Sequence, residues 1–202
     1  MITVKINGEE RQYPQGATYE DVANDYQKEY DNLIALAARD GKIRELFKKL
    51  TRDCEITFFT LKDDVGNKTY VRSATMLFLK AVFDVFGRET VQNCRVEFAI
   101  GNGSYISPKG KINATEENAA KIRNQMRELV EAKTPFLKKS YSLDNAMELF
   151  QREGMKDKEK LFRYRRGSFV NIYEMDGYYD YYYGYMLPNA GYVKWFDVLT
   201  YW

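Results

Sequence analysis

Arg72 and Met76 stand four residues apart at the start of a strongly apolar stretch, so on a helix they share one face and aim at one point. A guanidinium stays protonated and has no lone pair for a metal, and a thioether is a weak ligand for zinc. This pair therefore offers anion binding by Arg72, whose fork suits phosphate oxygens, or plain packing by Met76. A second group lies at Tyr178, Tyr179, Tyr181, Tyr182, Tyr183 and Tyr185, set around Asp180 and Gly184 and followed by Met186. In a strand, Tyr181, Tyr183 and Tyr185 share one face and Tyr182 the other. Such rings fill a cavity or stack on a base. A third runs through Lys156, Lys158, Lys160, Arg163, Arg165 and Arg166, interleaved with Phe162 and Tyr164 and diluted by Asp157 and Glu159. Cations mixed with aromatics suit an RNA surface; a solvated loop is the plainer expectation. Histidine is absent from the whole chain, which removes the usual general base near neutrality.

The elements that must hold these residues follow from periodicity. Ile2, Val4 and Ile6 alternate with polar residues and lead into Asn7-Gly8, the pair that a two-residue hairpin favours. Thr18 with Asp21 opens a helix carrying Tyr19, Val22, Ala23, Tyr26 and Tyr30 at helical spacing. Leu33 to Ala38 and Ile56 to Leu61 read as strands, and the polar, glycine-containing stretch 62–68 reads as a connection between domains. From Ser73 to Phe86 apolar residues surround the helix, so most of its faces must be buried. Val96, Phe98 and Ile100 alternate as a strand ending in Gly101-Asn102-Gly103; Thr115 and Ser142 cap two further helices, and the tail from Phe169 is strand-rich.

Two strings carry a resemblance. Arg72-Ser73-Ala74-Thr75-Met76 falls where the second additional domain of threonyl- and alanyl-tRNA synthetases has His-Ser-Ala-Ala-His. Asp180-Tyr181-Tyr182-Tyr183-Gly184-Tyr185-Met186, followed by Pro188-Asn189-Ala190-Gly191, falls where that domain has its second editing motif and a Pro-x-x-Gly turn. Residues 1–61 resemble a TGS domain. The implied fold is α+β: a β-grasp, TGS-like domain over 1–61, a linker at 62–68, and an editing-domain-like α+β domain over 69–202. The resemblance makes Arg72, Met76, Tyr182 and Met186 the degenerate editing-site positions, with no metal and no catalytic residue. The same pair of domains heads bacterial nucleoside kinases resembling uridine kinase, and Met1–Gly8, Glu159–Arg166 and Tyr181–Met186 look like that group. It implies a binding or regulatory region whose partner is a kinase domain of the same chain. ATP and magnesium would belong to that domain, since no Gly-x-x-x-x-Gly-Lys-Ser/Thr string occurs here. The alternative is a stand-alone RNA- or nucleotide-binding module related to threonyl-tRNA synthetase, with Lys160, Arg163, Tyr164, Arg165 and Arg166 as nucleic-acid contacts.

Composition sets the limits. Lys plus Arg number 31 against 29 for Asp plus Glu, a net charge of +2, so no global field draws nucleic acid or anionic membrane and any such site must be a local patch. Cys54 and Cys94 lie in different expected domains and form no Cys-x-x-Cys, so they read as free thiols of a reducing cytoplasm. No stretch approaches the roughly 20 apolar residues that span a bilayer. The ending Leu199-Thr200-Tyr201-Trp202 lacks a polar tail and reads as a cut within a longer chain.

Overall fold

The computed structural model describes residues 1–101, 103–109, 112–165 and 167–201; Arg166 and Asn102 of the expected turn lie outside the described residues. The fold mixes sheets and helices and divides into two compact units, one of residues 1–73 and 184–188, the other of 74–183 and 189–202.

In the first unit, β1 (Ile2–Ile6) and β2 (Glu9–Tyr13) form the hairpin that Asn7-Gly8 predicts. Both turn residues have positive φ, 51° and 88°, as a type I′ turn requires. Helix α1 (Tyr19–Tyr26) begins with a full capping box between Thr18 and Asp21 and buries Tyr19, Val22, Ala23 and Tyr26. The strands β3 (Ile34–Arg39), β4 (Lys42–Glu45) and β5 (Cys54–Thr60) complete one sheet in the order β2-β1-β5-β3-β4, with β1 parallel to β5.

The expected connection at 62–68 is a correction. Helix α2 covers Asp64–Phe86, nine residues earlier than the apolar pattern begins. Asp63 accepts from the Thr60 N–H at 2.7 Å, and Asp64 pairs with Lys68 at 2.7 Å one turn on. Gly66, read as a loop signal, sits inside the helix because a Cβ there would collide with the Thr60 carbonyl.

The second unit takes α2 from Ala74, then α3 (Arg88–Asn93), a ribbon of β6 (Arg95–Ile100) and β7 (Gly103–Ser107), and α4 (Glu116–Glu131) capped by Thr115. Strand β8 (Leu137–Ser142) pairs with β9 (Phe169–Met175), which pairs with β10 (Tyr178–Asp180). Helices α5 (Leu143–Arg152) and α6 (Lys156–Phe162) lie between them in sequence. Lys80, 2% exposed, reaches Asp84 at 2.7 Å and the Asp176 carbonyl at 2.7 Å. It thereby fixes the β9–β10 turn against α2, with Phe83 and Tyr178 rings 5.7 Å apart. Two further corrections fall here. Residues 156–162 are helix and not loop, because Phe162 is buried against Ala146, Leu149, Phe150, Val170 and Ile172. The run Tyr181 to Tyr185 is not a strand: the Tyr181 N–H is taken by the Asp180 side chain at 2.7 Å, and Gly184 has φ +132°. Among the described residues no helix is long and apolar enough to cross a membrane.

Candidate functional site

Within the first unit, the start of α2 meets the segment 184–188. Arg72 Nη1 donates to the Tyr185 carbonyl at 2.7 Å. The Arg72 guanidinium lies so close over Gly184 that a Cβ there would stand 2.6 Å from Cζ. Ser73 Oγ donates to the Thr69 carbonyl at 2.8 Å and accepts from the Leu187 N–H at 2.9 Å, and it lies 3.8 Å from the Met186 sulfur. The Met186 N–H donates to the buried Glu45 carboxylate at 3.2 Å, and the Met186 side chain has no exposed surface. So Arg72 and Met186, 114 positions apart, occupy one place, and that place is packed with protein. No zinc chemistry fits it: a guanidinium, a thioether and a serine hydroxyl already spent on backbone groups make no ligand set. Among the described residues no group of three or more His, Cys, Asp or Glu is placed to hold a metal.

Met76 and Tyr182 belong to the second unit. Met76 is fully buried in α2. Tyr182 is half-buried, edge-on to Tyr173 at 6.4 Å, and lines a cavity of about 510 Å³ to which α3, β6, α6 and Tyr178–Tyr182 all contribute. Its charges are largely internal. Lys158 Nζ reaches Asp157 at 2.8 Å and Asp180 at 3.3 Å. Arg88 is paired with Glu153. Burial lowers the Lys158 pKa, but Asp180 and Asp157 outweigh it and the net shift is upward. Burial raises Asp157, the hydrogen bond and charge of Lys158 lower it further, and it stands below the usual carboxylate value. Tyr178 is pushed well above the usual phenol by burial and then by Asp180, to which its hydroxyl donates at 3.3 Å. Burial pushes the Cys94 thiol up to about 11, with Arg95 opposing. Arg95 and Lys156 also line the cavity and are exposed.

The basic–aromatic segment stands beside it. Phe162 is the anchor, edge-on to Tyr181 at 4.7 Å. Arg165 lies over the Phe162 ring at 5.0 Å and donates to the Tyr181 hydroxyl at 3.2 Å. Lys160, Arg163 and Tyr164 are exposed, Tyr164 to 83%. Sequence reading missed the wall formed by Gln92, Cys94 and Arg95, and the Lys158–Asp180 pair. The former give no periodic signal, and the latter are 22 positions apart, Lys158 in a stretch read as loop and Asp180 in the strand-rich tail.

No family model matches the chain. Across 98% of its length it is 30% identical to a threonine–tRNA ligase of Thermotoga petrophila and to one of Thermotoga maritima. It is 26% identical over 99% of its length to a threonine–tRNA ligase of Carboxydothermus hydrogenoformans. The chain spans about 30% of the length of these relatives. It is thus a threonyl-tRNA-synthetase-like region. The synthetase side of the resemblance is supported, and the nucleoside-kinase parent is not.

Proposed function

We propose that this chain is a non-catalytic RNA-binding module related to threonyl-tRNA synthetase, in which the histidine-based editing and zinc centre has been replaced by packing. The sheet order β2-β1-β5-β3-β4, with its parallel β1–β5 pair, supports reading residues 1–61 as a TGS-like β-grasp domain. Arg72 spent on Tyr185 and Met186 without exposed surface support a filled centre in place of a catalytic one. Working in the cytoplasm follows from that relationship.

One observation carries the binding reading: Lys160, Arg163 and Tyr164 are exposed at the end of α6, beside a cavity lined by five consecutive aromatic or acidic residues, Tyr178 to Tyr182. Cations meet phosphates and exposed rings meet base faces. The helix places the segment because Phe162 is held in the core. Fluorescence anisotropy with a labelled tRNA acceptor-stem RNA tests the reading. Binding should weaken with salt, and Arg163→Ala should reduce the log–log salt slope by about 1. Identical curves for wild type and an Arg163→Ala/Tyr164→Ala variant would refute the assignment of this surface.

A further inference from the structure

The β6–β7 ribbon of the second unit turns a cluster of aromatic and aliphatic side chains to solvent. Every residue of β6 is exposed. Phe98 is 56% exposed, and by register it shares a face with Arg95 and Ile100, while the register shift between Val96 and Phe98 puts Val96, 51% exposed, on the other face. Phe98 and Tyr105 face each other across the ribbon, their rings stacked at 5.1 Å and 29°, and Tyr201 meets Tyr105 edge-on at 5.9 Å. Such a patch on a water-exposed surface marks an interaction site.

Its charges point to the occupant. Glu97 is neutralised by Lys109 at 2.6 Å, which leaves Arg95 at the strand's start as the ribbon's exposed cation. Arg95 and Val96 also line the cavity, together with Lys156 to Lys158 and Tyr178 to Tyr182. Tyr181 among these accepts from Arg165. The cavity thus joins the first residues of the ribbon to the basic end of α6, its acids Asp157 and Asp180 being paired with Lys158 and Glu153 with Arg88. A duplex would present its bases stacked and paired, beyond reach of these rings. Unstacked bases match the rings and phosphates match Arg95 and Lys156.

We propose that the β6–β7 ribbon is a base-stacking platform that extends the RNA site, taking single-stranded RNA with bases on Phe98 and Tyr105 and phosphates on Arg95. The proposal rests on the RNA-binding reading above. The full chain is titrated against an unstructured 12-nucleotide RNA and a 12-base-pair RNA duplex, as wild type, Phe98→Ala, Phe98→Leu, Phe98→Trp and Arg163→Ala. The single strand should bind tighter than the duplex, and Phe98→Ala and Phe98→Leu should each weaken it by about tenfold while Phe98→Trp retains it. Phe98 is more than half exposed, so thermal melts of the variants should match wild type. If Phe98→Ala and Phe98→Leu leave binding unchanged while Arg163→Ala weakens it, the platform is refuted and the RNA reading stands. Equal affinity for the duplex also overturns the platform, as does a dimer in sedimentation that Phe98→Ala dissolves. No RNA binding by the wild type would sink the RNA reading itself.

Discussion

Arg72 stands where the resemblance has the first histidine of its editing motif, and its commitment is visible atom by atom: one nitrogen to the Tyr185 carbonyl, the plane over Gly184. Gly184→Ala sets a side chain against that plane at φ +132°, so it should cost about 1–3 kcal/mol in denaturant unfolding; an unchanged midpoint would mean the guanidinium is not held there. Met186→Ala should cost about 2–5 kcal/mol, as for other buried methionines. The Lys158 cluster gives a pH signature. Lys158 is raised, so its contribution is complete below the ordinary lysine value of about 10.4 and is lost as pH rises through the folded value. Asp157 is lowered, so its contribution is present above about 3.9 and is lost as pH falls through the folded value. The melting temperature of Lys158→Met should therefore lie below wild type between those limits, and the gap should narrow outside them. A gap independent of pH would remove the ion pair from the account. The raised Cys94 thiol, at about 11, should alkylate slowly at pH 8, because little thiolate is present.

At the scale of elements, much was legible where local chemistry and packing agree. The Asn7-Gly8 hairpin, the Thr18 capping box and the Thr115 and Ser142 caps follow from residue type alone. The misses are places where a tertiary contact overrides a local signal. Gly66 looks like a linker and is helix, because the helix must pass the Thr60 carbonyl. Gly66→Ala gains up to about 1 kcal/mol of helix propensity, yet it should destabilise the protein, since backbone cannot move aside as a side-chain tip can. A more stable variant would show that the approach is looser than described. Strand β8 was missed because adjacent Lys138 and Lys139 break its alternation, and it forms through pairing with β9. Helix α6 was read as loop because its charges hide one apolar anchor, Phe162. The tyrosine run lies in a tail read as strand-rich, which a side-chain hydrogen bond at Asp180 interrupts.

At the scale of the whole molecule, the near balance of 31 basic and 29 acidic residues gives no sign of the proposed binding surface, whose exposed cations lie at α6 and β6. The lack of an imidazole was legible through residue identity, since the chain holds no histidine. What replaced it was not, since Arg72 and the Tyr185 carbonyl are brought together only by folding. The central claim is RNA binding without ester hydrolysis, and one measurement reads both. The protein at saturating concentration is mixed with a labelled mischarged aminoacyl-tRNA, and bound RNA and intact ester are followed in the same reaction. The account predicts that the RNA is retained while the ester decays at its uncatalysed rate. Acceleration of ester loss that disappears in Arg72→Ala would contradict it.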